Sequence, residues 1–189
     1  MAHVFSALNQ QIIMARIPYY KPADTEKEKI QLQGEAPFNL NIFKIITHAP
    51  LGIARQFIGL PGAVLFAGKL DPILREMVIT RAGILCHSEY EVHQHRKLCK
   101  RVGMPEEKIN ALDVGSSSPV FSDIEKRVLQ FTEETVLQHK VSAETFAAVG
   151  KYFSHDVLVE LAIAAGCYMM VSIFLNTFEV DIEEKDTLL

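Results

Sequence analysis

The chain has 189 residues, a formal net charge of −4, 49% apolar and 22% charged residues. That length carries one domain with a real core. The balance excludes a largely disordered chain and offers no basic surface for nucleic acid or an anionic membrane. Three cysteines, Cys86, Cys99 and Cys167, have no disulfide-framework spacing and read as reduced thiols of a cytoplasmic protein.

The N-terminal segment MAHVFSALNQQIIMARIPYY lacks a basic secretory leader, and Met14 offers an alternative start that would make residues 1–13 an extension. Residues 1–38 read as an extended arm, punctuated by Pro18, Pro22 and Pro37, with one short helix near 24–33. From LNIFKIITHAP onward, Leu40, Phe43, Ile45 and Ile46 recur at helical spacing. Pro50 suits the start of the next helix, and Pro61-Gly62 is expected to kink or split it. Asp71-Pro72 signals a helix start, followed by PILREMVITRAGILC with Leu74, Met77, Val78, Ala82 and Leu85 on its apolar face. SEYEVHQHRKLCKRV is the next helix. It stops at Gly103, with Lys100 and Arg101 placed to offset the helix dipole.

Pro105 opens a short helix, EEKINAL. Ser122 to Glu125 reads as a capping box before a longer one, and Ser142 caps AETFAAVGKYF. The last helix starts at Ser154 or His155-Asp156 and reaches about Phe178. Its uncharged run LAIAAGCYMMVSIFL falls short of the roughly 20 residues that span a bilayer, so it reads as buried, and no membrane partner is expected. No stretch alternates with strand period. The expectation is one all-α domain over 39–180, with a C-terminal tail at 181–189.

The segment LCHSEYEVHQHRKLC, residues 85–99, concentrates the chain's reactive groups. With Ser88 as N-cap, Ser88, Glu91 and His95 share one helix face, and Glu89 and His93 form a second pair rotated away. Ser88 and Glu91 also fit a plain capping box, with His95 a surface residue beside Glu91. Glu91 and His95 could ligate a metal only with a third ligand such as Glu76, and no H-E-x-x-H pattern is present. Cys86 precedes a helix N-terminus, which favours a thiolate, but it also ends an apolar run, which favours a structural thiol. Glu76 lies one position off the apolar face of its helix. Taken alone it reads as exposed beside Arg75.

Together, REMV at 75–78, Ser88-Glu89-Tyr90-Glu91 and His95 resemble the carboxymuconolactone decarboxylase and alkylhydroperoxidase D family, whose motif joins an R-E-L-V helix to C-x-x-C-x-x-x-H. ARIPYY, LNIFKIITHAP and the closing FLNTF are similar to longer members, so the resemblance spans most of residues 15–180. It implies an alkylhydroperoxidase D-like helical fold and a pocket where Glu76, Glu91 and His95 converge.

Both redox cysteines are replaced, by Ser88 and Glu91, so the family's dithiol peroxidase chemistry does not transfer. Tyr90-Glu91-Val92-x-x-His95 is closer to the Y-E-W-x-x-H segment of the decarboxylase branch. The resemblance therefore implies a lyase that uses no cofactor and no metal. It would act on a small anionic or lactone-like molecule, with His95, Glu91 and Glu76 as catalytic candidates and Ser88, Cys86, Tyr90 and Arg81 as auxiliaries. In this reading His95 transfers the proton, because imidazole titrates near neutrality, and Arg81 holds a substrate carboxylate. The alternatives are an antioxidant peroxidase using Cys86, and a catalytically silent binding protein. A homo-oligomer is expected, a trimer or hexamer by resemblance, because the final helix is apolar nearly all round.

Overall fold

The computed structural model describes residues 15–35 and 40–184. Residues 1–13, Met14, Pro37 and the boundary at 38/39 lie outside this range. Every regular element among the described residues is a helix, with no strand. In chain order the helices are α1 (Lys27–Glu35), α2 (Asn41–Ile46), α3 (Leu51–Phe66), α4 (Pro72–Leu85), α5 (Glu89–Arg101), α6 (Glu106–Ala111), α7 (Asp123–Gln138), α8 (Ala143–Val149) and α9 (His155–Phe178).

Local signals set most boundaries. Asp71 caps α4 by accepting from the backbone N–H groups of Ile73 and Leu74 at 2.9 and 3.1 Å. Ser122 and Glu125 form the reciprocal capping box of α7. Ser142 Oγ accepts from Thr145 N at 3.1 Å to cap α8. The turn after α5 uses Gly103 at φ +83°, a left-handed conformation that glycine adopts without steric cost. Helix α3 departs from expectation: it is not split and runs through Pro61 without interruption. Ala54 before the proline and Val64 after it are both buried, so packing on either side holds the two halves together.

Helix α4 is the centre of the bundle and packs against α5, α7 and α9. Burial therefore covers its whole circumference: Met77, Val78, Ile79, Thr80 and Ala82 are fully enclosed, and the charged Glu76 and Arg81 are buried with them. Helix α9 is long and apolar enough to cross a membrane by length and composition. It packs here as a core helix, with Leu158, Leu161, Ala164, Ala165, Tyr168, Val171 and Leu175 facing inward.

The two ends of the described chain are tied together. Arg16 N donates to Phe178 O at 2.8 Å, and both Ala15 N and Tyr19 Oη donate to Asp181 at 3.0 and 2.7 Å. Residues 181–184, expected to be a tail, thus pack against the arm and against α2, where Asn41 Nδ2 donates to Asp181 O.

Candidate active site

The α4–α5 connection determines where the reactive residues point. Ser88 N donates to Gly83 O at 2.9 Å and His87 N to Ile84 O at 3.0 Å, the paired bonds of a Schellman turn. His87 occupies its left-handed position at φ 54°, where glycine is usual. This short reversal folds α5 back along α4. At Gly83 the helices come so close that a Cβ would stand 3.2 Å from Glu91 Cγ, so the missing side chain makes room for Glu91.

Glu91 is not part of a capping box. The Ser88 N–H is taken by Gly83, and Ser88 Oγ is buried without a partner. Glu91 turns instead toward His95, one helical turn along. His95 Nδ1 lies 2.8 Å from Glu76 Oε2, and because a carboxylate only accepts, that nitrogen carries the proton. His95 Nε2 is 3.1 Å from Glu91 Oε1, but off the line of a hydrogen bond, so Glu91 Oε1 has no hydrogen-bond partner. Arg75 Nε is 3.3 Å from Glu76 Oε1. A chain of alternating charge therefore runs Arg75, Glu76, His95, Glu91 inside the protein, and the Tyr168 ring packs edge-on against His95 at 5.0 Å. The exposed reading of Glu76 is corrected: its side chain is 1% accessible, because α4 has neighbours on every side.

Electrostatics sets the charge of His95. Burial alone would lower its pKa, but the Glu91 charge and the Glu76 hydrogen bond and charge override this and hold it up at about 10. His95 is thus an imidazolium near pH 7, with a proton to donate.

A cavity of about 350 Å³ opens against this chain. Its walls are apolar, built from α2, α3 and α9 through residues such as Ile42, Phe57, Leu65 and Val171, and Tyr90, Glu91, Gln94, His95 and Tyr168 converge at its polar side. Tyr90 Oη donates to Glu183 at 2.6 Å and Gln94 Nε2 donates to the same carboxylate at 2.5 Å. Gln94, Tyr168 and Glu183 escaped the sequence reading. Gln94 was within reach of it, since it stands three positions from Glu91 on the same helix face. Tyr168 and Glu183 come from distant sequence and gave no local signal.

Other candidates lie elsewhere. The Arg81 guanidinium is buried and bonded to Glu133 and to the carbonyls of Leu112 and Asp113, so it pins the α6–α7 loop and does not line the cavity. This corrects its assignment as a carboxylate holder. Cys86 is half-buried at the end of α4, where burial and then the Glu91 charge push its thiol up and disfavour the thiolate. Glu89 and His93 are exposed and face away from His95. Among the described residues, no group of three or more His, Cys, Asp or Glu side chains is arranged to hold a metal ion.

Residues 52–134 match the carboxymuconolactone decarboxylase family. The matched segment contains Glu76, Glu91 and His95. Solved structures share the fold. One is the alkylhydroperoxidase AhpD core of an uncharacterized peroxidase-related protein from Ralstonia eutropha, with TM-score 0.74, 18% identity, and coverage of 90% of this chain and 93% of that one. Another is the debrominase Bmp8 in complex with 2,3,4-tribromopyrrole, with TM-score 0.72, 14% identity, and coverage of 93% and 94%. A third is a peroxidase-related protein from a Silicibacter species, with TM-score 0.72, 12% identity, and coverage of 86% of each chain. At these identities the likeness is one of fold. No curated protein matches the chain.

Proposed function

We propose that this carboxymuconolactone decarboxylase-like protein is a cofactor-independent lyase or isomerase that moves a proton on a small, lactone-like ring. The observation that carries this reading is the pairing, at one cavity wall, of the His95 imidazolium with the Glu91 carboxylate. The Glu91 carboxylate takes a proton from the carbon next to the substrate carbonyl. His95 Nε2–H, not aligned on Glu91, donates to the oxygen on which negative charge develops. Glu76 fixes the ring and its charge through Nδ1, and Arg75 balances Glu76. Return of the proton from Glu91 to a second carbon completes an isomerisation with no net gain or loss of charge.

The size and apolar lining of the cavity suit a single ring. The debrominase that shares this fold holds a brominated pyrrole, a ligand of that size and polarity. The anionic half of the substrate expectation finds little support: the lining contains no Arg or Lys, and His95 is the one basic side chain in it, already facing two carboxylates. Release of CO₂ from a carboxylate substrate is therefore the less favoured branch. The three free cysteines support a cytoplasmic location in this reading.

The test is hydrogen–deuterium exchange of small enolisable lactones in D₂O, followed by NMR. Wild-type protein should accelerate exchange, and His95→Gln and Glu91→Gln should each reduce the rate by about 10²-fold or more. Exchange at the uncatalysed rate, or exchange indifferent to both substitutions, overturns the proposal.

A further inference from the structure

One carboxylate beyond the last helix bridges two walls of the cavity. Glu183 Oε1 accepts from the Asn41 backbone N–H of α2 and from Tyr90 Oη of α5, each at 2.6 Å. Glu183 Oε2 accepts from Gln94 Nε2 of α5 at 2.5 Å. All three donors belong to buried residues. Tyr90 and Gln94 line the cavity, and so do Leu40, Ile42 and Phe43 at the start of α2.

The two ends of α2 are held differently. Its N-cap residue, Leu40, makes no side-chain capping bond, so the Glu183 carboxylate supplies the acceptor from 142 positions away. At the other end, Ile46 packs with Leu32 and Ala54 in a small cluster separate from the main core. The helix has six residues and packs mainly on α3, where Ala54 and Val64 are the buried positions. So short a helix is stable only through such ties. The first end is thus held largely by hydrogen bonds, and the second by apolar packing.

We propose that Glu183 is the latch of a gate into the cavity. Release of its carboxylate frees the N-terminal end of α2 from α5, α2 swings about its Ile46 end, and a ligand passes between the two helices. Glu183 does not line the cavity itself. It is a positioning residue that sets how fast the cavity exchanges its contents, whatever reaction the cavity hosts.

Hydrogen exchange by mass spectrometry on the whole chain reads the gate without a ligand. In the wild type, the amides of α2 should exchange through an opening that leaves α4 protected. Glu183→Leu should speed α2 exchange by about ten- to a hundredfold, the effect of losing one hydrogen bond to a charged group, with α4 and α7 unchanged. Glu183→Gln keeps an acceptor for Asn41 and Tyr90 and should fall between. Indole, a neutral molecule suited to the apolar cavity, then reads passage by stopped-flow fluorescence, unmasked because the chain has no tryptophan. Its entry and exit should both be about tenfold faster or more in Glu183→Leu, with Kd nearly constant, because a gate changes both rates alike. Unchanged α2 exchange, equal acceleration in α2 and α4, or a weakened Kd at an unchanged entry rate makes Glu183 a structural clamp only and overturns the proposal. A wild type that does not bind indole, or whose α2 opens only on global unfolding, overturns it without any variant.

Discussion

Glu76 and His95 lie nineteen positions apart in sequence and 2.8 Å apart in space, a hydrogen-bonded pair buried between α4 and α5. Removing one partner strands the other in a dry interior. Glu76→Leu is expected to lower unfolding free energy by about 3–5 kcal/mol, and Glu76→Gln, which can still accept a hydrogen bond, by less. Urea denaturation of both variants gives the comparison. A loss below about 1 kcal/mol for Glu76→Leu would mean that the pair does not hold the two helices in place.

The same pair sets a pH dependence. The folded pKa of His95, about 10, lies above its ordinary 6.5. The folded state therefore binds the proton more tightly, and its contribution is complete below 6.5. It is lost as pH rises from 6.5 through about 10. Over that window stability should fall by at most about 1.4 kcal/mol per pH unit, the limit for one proton. His95→Gln should flatten the slope between pH 6.5 and 9. Above 9 the raised thiols of Cys99 and Cys167, both pushed to about 11, add their own decline. A wild-type curve that stays flat from pH 6.5 to 9 would contradict the assignment.

Peroxidase activity should be absent. With Ser88 and Glu91 in the dithiol positions and the Cys86 thiol held in its protonated form, hydroperoxide reduction with a dithiol donor should stay at background in a coupled assay. Activity that disappears in Cys86→Ser would replace the proton-transfer reading with a single-cysteine one.

Helix α9 predicts assembly. Its outer face carries Val159, Ile163, Gly166, Met170 and Ile173, all exposed, at spacings of 4, 3, 4 and 3 residues. That alternation is the seam of a heptad repeat, and Gly166 leaves open space where a side chain would stand. The same helix of a second copy is its expected partner. Light scattering at micromolar concentration should give at least a dimer mass, and Ile163→Glu with Ile173→Glu should shift it to monomer. A monomeric wild-type protein would refute this.

What could be read from sequence alone was what local chemistry determines. The caps at Asp71, Ser122 and Ser142 act within three residues, and the structure has them as read. The face shared by Glu91 and His95 follows from helical spacing. The burial of Glu76 does not, since it depends on α5, α7 and α9 closing around α4, and an acid beside Arg75 looks like a surface pair until those neighbours are known. Arg81 was misread for the same reason: its partners, Glu133 and the carbonyls at 112 and 113, lie thirty or more positions downstream. Pro61 was read as a kink or a split, and the split is excluded because packing on either side, which propensity leaves out, keeps the helix continuous.

The grip of Glu183 on Tyr90, Gln94 and Asn41 makes the cavity wall depend on a residue beyond the last helix. Helices α2 to α9 end at Phe178, so a chain cut after residue 180 is expected to keep its core and to lose the acceptor that holds the Tyr90 hydroxyl and the Gln94 amide in place.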